Sequence, residues 1–408
     1  MDKRTKTNSY RYYISPTSQF YFCGIPFRLD TTPKCDLNCQ YCFAMARGGR
    51  ATESNQYADI KNLQNKLEKI KKLQQNQLSA TNQFLFNNTP IHFGGMSDPF
   101  SNAEATKISK EILIILANEN YPIVISTKNT KALLSKSIVE LLRSVKNLIV
   151  QVSFSVFNDN LSRLIEPNAV SPSKRLESIK RLAEMNINVM ARLQPLFPIF
   201  LKEIENELIE SLSENGCKHI ITEFLKLPIE KNISNFKKLS ELINWDIFEY
   251  FQNANAKKIG REWVLPAELI YSLSKPITRK IHELNMTHGF GDYGLNHLSD
   301  SSCCCGLDLF KGFENWFKGN FTYAIKSANQ KKLKFDIIAK QYIPDGSIRE
   351  LINSDSRNEN SRIIEYLRDK WNSPGTINAP DSFLGVKCLN FKDKNGNFVY
   401  EKETERWT

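Results

Sequence analysis

The sequence predicts an α/β protein built on an open, partial (β/α)6 barrel of parallel strands. Two observations predict it. Short apolar runs alternate with amphipathic stretches from about residue 26 to about residue 225, and such alternation implies parallel strands joined by crossover helices. The alternation yields six βα units, too few to close an eight-stranded barrel. Beyond about residue 230 the pattern stops. The expected organisation is an N-terminal extension (1–25), a core (26–230) and a mixed, largely helical C-terminal region (231–408) that contributes to the substrate site.

The elements follow in order. Residues 1–25 turn from polar to aromatic, with Tyr10, Tyr12, Tyr13, Phe20, Tyr21 and Phe22 expected to pack on the core. Residues 26–33 read as a short strand that runs into a cysteine-rich loop, which Gly48-Gly49 closes. Residues 58–78 have helical spacing through Ile60, Leu63, Leu67, Ile70 and Leu73. Strands are then expected at 90–95, 122–127, 147–155, 187–194 and 217–225, with helices at 103–118, 134–145, 173–185 and 201–214 between them. Residues 232–285 read mostly helical, interrupted near Pro266 and Pro276. A Gly-, Asp- and Ser-rich stretch, 286–306, ends in Cys303, Cys304 and Cys305. Helices at 311–317 and 358–371 and a hairpin turning at Asn395-Gly396 complete the chain.

Composition narrows the class. The 408 residues are 41% hydrophobic and 24% charged, ordinary for a globular protein, and suffice for one large domain with an appendage or for two domains. No apolar run approaches a membrane span, and the start, Met1-Asp2-Lys3-Arg4-Thr5-Lys6, lacks the apolar core of a signal peptide, so a cytoplasmic location is expected. The nine cysteines are clustered in a way that suits metal sites rather than a secreted disulfide framework. The net charge is +11, and residues 1–50 hold eight Lys/Arg against three Asp/Glu. A basic surface attracts phosphate backbones, but no Arg-rich tract or recognition motif accompanies it, and Lys-rich solvated helix faces account for it equally well.

The functional centre is Cys35-Asp36-Leu37-Asn38-Cys39-Gln40-Tyr41-Cys42. Three thiols within eight residues can face one soft-metal centre. Structural zinc sites and ordinary iron–sulfur carriers use four protein ligands. Three ligands on a four-iron cluster leave one iron open to a small molecule; the alternative is a zinc knuckle with its fourth ligand elsewhere.

The CxxxCxΦC spacing, with aromatic Tyr41 before the last cysteine, resembles the cluster motif of radical S-adenosylmethionine (radical SAM) enzymes. That resemblance implies a [4Fe–4S] cluster on Cys35, Cys39 and Cys42, with SAM on the open iron. It also implies an external one-electron reductant and a 5′-deoxyadenosyl radical that abstracts hydrogen. The family's core is a partial (β/α)6 barrel, whose catalytic residues lie at the carboxyl ends of strands.

Strand ends supply candidates in turn. Gly94-Gly95-Met96-Ser97-Asp98-Pro99 lets backbone approach a ligand, and Ser97 and Asp98 offer acceptors for an ammonium or ribose. Lys128 offers a cation for a carboxylate, Ser153 follows, and Arg192 can fork onto a carboxylate or ribose. The succession Gly94-x-x-Ser97-Asp98-Pro99, Ser126-Thr127-Lys128, Val152-Ser153-Phe154-Ser155, Glu166-Pro167, Arg175-Leu176 and Pro195 resembles the spore photoproduct lyase-like branch over residues 26–225. The branch implies SAM contacts from Tyr41, Ser97, Lys128 and Ser153, and extends them to Asp98. Two positions depart from it. Gly95-Met96 stands where the lyase has its hydrogen-donor cysteine, and Phe43 stands where it has a redox-active tyrosine, so thymine-dimer splitting is not expected.

Cys303, Cys304 and Cys305 admit three readings: a second iron–sulfur cluster, a radical-relay thiol, or a Cys-rich turn. His288 and His297, nearby, read as loop hydrogen-bonders rather than ligands. The expected substrate is a nucleic acid. The alternatives are a peptide or protein side chain, as for a radical SAM maturase, or a non-catalytic, metal-stabilised nucleic-acid-binding module.

Overall fold

The computed structural model describes residues 14–17, 23–46, 57–74, 78, 80–230, 233–313, 321–339, 363–376 and 379–403. The aromatic N-terminal residues before Ile14, those at 20–22, Gly48-Gly49 and most of the expected helix 311–317 lie outside these.

The core is a sheet of parallel strands in chain order: β1 (Phe27–Leu29), β2 (Ile91–Phe93), β3 (Ile123–Thr127), β4 (Leu148–Phe154), β5 (Asn188–Leu196), β6 (His219–Phe224) and β7 (Thr287–Phe290). Ser15–Pro16 adds a short antiparallel edge to β1. Sequential order and a parallel register throughout, such as Ile123↔Leu148 and Ile149↔Asn188, give the open barrel that the alternation predicts. Among the described residues the two ends of the sheet do not pair. Helices Ala103–Asn118, Lys136–Ser144 and Pro172–Glu184 cover one face. The run 201–214 is also helical, with a π turn at Ile204–Leu208.

The pleat sorts each strand between two cores. Ile123, Ile125, Val150, Val152, Ala191 and Ile220 pack under the helices in the large core. The alternate residues Val124, Ile149, Met190 and Ile221 form a smaller cluster on the concave face with Ile25, Cys303, Cys305, Leu307, Phe310 and Phe313. Strands buried on both sides need apolar residues at successive positions, which explains runs such as Ile123-Val124-Ile125.

Three local readings are corrected by the structure. The seventh parallel strand, β7, comes from beyond residue 230; Thr287-His288-Gly289-Phe290 is too short and too Gly-flanked to show a period. Helix Ala267–Glu283 runs through Pro276, while Pro266 caps its start. Burial of Ile270, Ile277 and Ile281 along one face offsets the lost backbone bond. Short strands at Lys257–Ile259 and Glu262–Val264 divide the helical stretch and, with Leu227–Pro228, form a small antiparallel sheet.

Near the C-terminus Val386–Lys392 and Phe398–Lys402 form the expected hairpin, with Gly396 at φ +78° in its turn. Lys332–Leu333 pairs on its edge. Trp371 is buried against Tyr400 and donates from Nε1 to the Phe398 carbonyl at 2.6 Å. Among the described residues no helix is long and apolar enough to cross a membrane.

Gly289 on β7 shows how tightly the concave face is filled: a Cβ there would lie 1.9 Å from the Cys304 carbonyl oxygen. Gly289→Ala is expected to destabilise the protein by about 1–3 kcal/mol through overpacking, read as a lowered urea midpoint.

Candidate active site

The cysteine loop follows β1 directly and is fixed by neighbours on both sides. Asn38 takes the left-handed conformation (φ +54°), which asparagine tolerates. The Cys42 N–H donates to the Cys39 carbonyl at 3.1 Å, and the Gln40 N–H donates to Ile165 O at 2.9 Å. The Asp36 carboxylate accepts from Asn102 at 2.6 Å, and the Asp36 carbonyl accepts from Asn168 at 2.7 Å.

Cys35, Cys39 and Cys42 form no disulfide and line one pocket of about 950 Å³, its open mouth included. The other walls come from the carboxyl ends of consecutive strands: Gly94 to Asp98 after β2, Ser126 to Lys128 at β3, Ser153 on β4, Arg192 to Pro195 on β5, and Glu223 to Lys226 at β6. Every sequence-predicted site residue of the core therefore reaches this pocket, including Tyr41, Ser97, Asp98, Lys128, Ser153 and Arg192.

What those residues do there differs from one to the next. Asp98 is committed to the protein. Its oxygens accept from Thr127 Oγ1 at 2.8 and 2.9 Å, Lys128 N at 2.6 Å and Phe100 N at 2.9 Å. It organises the loops after β2 and β3. Ser97 Oγ donates to the Thr32 carbonyl at 2.5 Å, and its N–H donates to Asp30, at 3.3 Å. Arg192 bonds Gln194, whose amide reaches Glu223 at 2.5 Å.

Tyr41 and Lys128 meet at a buried carboxylate. Glu166 accepts from the Tyr41 hydroxyl, pairs with Lys128 Nζ at 3.0 Å and with Arg175, and is 1% exposed. Arg175, wholly buried, also donates to the Ser153 carbonyl at 2.9 Å. Ser155 Oγ donates to the Tyr41 oxygen at 2.7 Å. Burial by itself would raise the Glu166 pKa, but the Arg175 and Lys128 charges hold it well below the usual carboxylate range. Burial keeps the Tyr41 phenol protonated, so it serves as donor.

Sequence reasoning quoted Glu166 and Arg175 as part of a resemblance and gave them no role. Their nine-residue separation carries no local signal. It also missed Glu223, Lys226 and Glu262 on the pocket wall, the last arriving from beyond residue 230, and Asp30, which accepts from the N–H groups of Met96 and Ser97. Asp292, after β7, accepts from the Phe224 N–H, and burial pushes its pKa to about 7.

Cys303, Cys304 and Cys305 do not reach the pocket wall. Cys303 and Cys305 are buried in the concave cluster, and Cys304 and Cys305 are in thiol contact at 3.8 Å. Among the described residues, no group of three or more His, Cys, Asp or Glu side chains is already gathered closely enough to hold a metal ion, either here or at Cys35, Cys39 and Cys42. His288 bonds Thr222 and Thr278, each at 2.9 Å, as a hydrogen-bonder should, though from a strand rather than a loop.

Residues 29–218 match the model of the Radical SAM superfamily. The chain carries a radical SAM domain, and the protein is a radical SAM enzyme. Its cofactors are a [4Fe–4S] cluster and SAM. The donor set suits them: three thiols outside any disulfide share one pocket with strand-end hydrogen-bonding groups.

Among solved structures, a spore photoproduct lyase complexed with dinucleoside spore photoproduct is 16% identical, with a TM-score of 0.48 over 69% of this chain and 78% of the other. SuiB from Streptococcus suis bound to S-adenosylmethionine is 14% identical, with a TM-score of 0.37 over 88% and 76%. The cobalamin-dependent enzyme OxsB is 8% identical, with a TM-score of 0.39 over 62% and 40%. No curated protein matches the chain.

Removing the buried charge should be costly. Glu166→Gln leaves Arg175 uncompensated and is expected to cost about 3–5 kcal/mol. Because the folded pKa is lowered, this stabilisation is complete above the unfolded value of about 4.3 and fades as pH falls below it. Chemical denaturation of both proteins should therefore show the gap between them narrowing in acid.

Proposed function

We propose that the pocket binds a [4Fe–4S] cluster on Cys35, Cys39 and Cys42 and SAM beside it, and that the enzyme abstracts hydrogen from a nucleic-acid substrate. The observation that carries the chemistry is the convergence of three cysteine side chains with five successive strand ends in one pocket. When bound, the cluster and SAM supply reductive cleavage to methionine and a 5′-deoxyadenosyl radical, with the electron coming from an external reductant.

The chain's own residues orient and shield. Tyr41, pinned at its hydroxyl by Glu166 and Ser155, holds the end of the cysteine loop against the sheet. Lys128 presents a fixed ammonium for a carboxylate, and Ser97, Ser153 and Arg192 offer hydrogen bonds around it. Leu37, Phe43, Met96, Pro195, Phe224 and Leu225 form apolar walls that exclude water from a reactive radical.

The nucleic-acid assignment rests on the +11 net charge and on the likeness of the strand-end motifs to the photoproduct lyase branch. Met96 and Phe43 both line the pocket and carry neither S–H nor O–H. A modification or repair other than thymine-dimer splitting therefore fits better. A C-terminal contribution to the substrate site is supported by Glu262 on the pocket wall. A reducing, cytoplasmic setting suits an oxygen-labile cluster.

Anaerobically reconstituted protein reduced with dithionite should produce 5′-deoxyadenosine, and Cys39→Ala should lose both bound iron and that product. Binding to DNA or RNA should weaken roughly tenfold or more between about 50 and 200 mM salt. Absent or salt-insensitive binding would point instead to a peptide side chain.

A further inference from the structure

The concave face of the sheet holds a second group of thiols that the radical chemistry leaves unused. After β7 the chain turns back, and residues 303–313 fill the space beneath Val124, Ile149, Met190 and Ile221. Cys23 and Cys304 sit at the edge of this cluster, half-buried, while Cys303 and Cys305 are buried.

The turn is held firmly. His219 Nε2 donates to the Cys304 carbonyl at 2.8 Å, and Ser301 Oγ donates to the Cys303 carbonyl at 2.5 Å. Lys326 Nζ donates to the carbonyls of Ser299 and Ser301 at 2.6 and 2.7 Å. Two glycines make room: Gly289 beneath the Cys304 carbonyl, and Gly24, where a Cβ would lie 2.6 Å from Cys303 Sγ.

Within this setting Cys304 Sγ and Cys305 Sγ touch at 3.8 Å. The two thiols are not equivalent. The contact with Cys305 and the Arg192 charge draw the Cys304 pKa below the usual thiol value despite burial. The same contact and burial push Cys305 well above it. Cys303 and Cys23 are raised, chiefly by burial. Cys304 is thus both the more accessible and the more nucleophilic member of the pair. Arg192 and Glu223, whose charges act on it, line the SAM pocket.

We propose that Cys304 and Cys305 form a two-electron redox centre that exchanges with a low-molecular-weight disulfide. The Cys304 thiolate attacks one sulfur of RSSR, forming a Cys304–S–SR bond and releasing RS⁻. Cys305 sulfur then attacks the Cys304 sulfur and displaces the second RS⁻. The two thiol protons end on the two released groups, so one external disulfide becomes two RSH and two protein thiols become one disulfide. Adjacent Cα atoms are about 3.8 Å apart, closer than disulfides ordinarily span, so the bond formed is strained and readily reversed. Strained disulfides are the labile, exchangeable kind.

The test uses anaerobic, cluster-loaded full-length protein, in which Cys35, Cys39 and Cys42 are occupied. It is equilibrated with graded mixtures of glutathione and glutathione disulfide, quenched by alkylation and mapped by mass spectrometry. The expected result is loss of two hydrogen atoms, mapped to a Cys304–Cys305 disulfide and reversed by excess glutathione. Cys305→Ser should trap a glutathione adduct on Cys304, and Cys304→Ser should take none at Cys305. Full alkylation of both thiols at every ratio, or a Cys23–Cys304 disulfide instead, would overturn the proposal. Mapping of the unmutated protein decides the matter even if either variant fails to fold.

Discussion

One buried carboxylate organises this active site. Glu166 lies beyond β4, on no strand, yet it gathers Tyr41 from the cysteine loop, Lys128 from the end of β3 and Arg175 from the next helix. A carboxylate taken out of water is tolerated only when opposite charges and hydrogen bonds replace its hydration. Here two cations and a phenol do so. The consequence is geometric: any shift of the cysteine loop relative to β3 or β4 would break a charge-assisted contact in a dry site. Pre-organisation of the loop follows from this constraint, since its backbone makes few bonds of its own.

A second constraint comes from the open architecture. A partial barrel leaves its concave face uncovered, and apolar residues pointing inward need a partner. The segment after β7 provides one, inserting Leu307, Phe310 and Phe313 together with the contiguous cysteines. The polar end of the same interior is linked by side-chain hydrogen bonds, with Gln151 Nε2 left unpartnered among the described residues. His92, held neutral with burial pushing its pKa to about 3, bonds Ser126 at 2.6 Å, and Ser126 bonds Gln151 at 2.6 Å. The interior thus grades from apolar packing to a hydrogen-bonded polar layer, with the cysteine-lined pocket at the strand carboxyl ends.

Much of this was legible in the chain. The parallel core could be read because two-sided burial forces near-continuous apolar runs, and the helices because one-sided burial forces a 3.6-residue period. Strand β7 was not legible, since four residues beside glycines show no period, and neither was the passage of a helix through Pro276. The site divides the same way. Lys128, Ser153 and Asp98 could be placed on the pocket wall because they sit at strand ends. The hydrogen bonds by which Asp98 holds Thr127, Lys128 and Phe100 could not be read from the chain.

The sequence by itself determined that three thiols in one short loop meet an alternating α/β core, because ligand spacing and burial period are local properties. Only the tertiary structure decided which distant groups complete the site. It brought Glu166 to Tyr41, Glu262 to the pocket wall, and Cys304 and Cys305 into the concave face near Arg192. Electrostatic pairing and close packing depend on distance in space, and no local pattern encodes a meeting between residues more than a hundred positions apart.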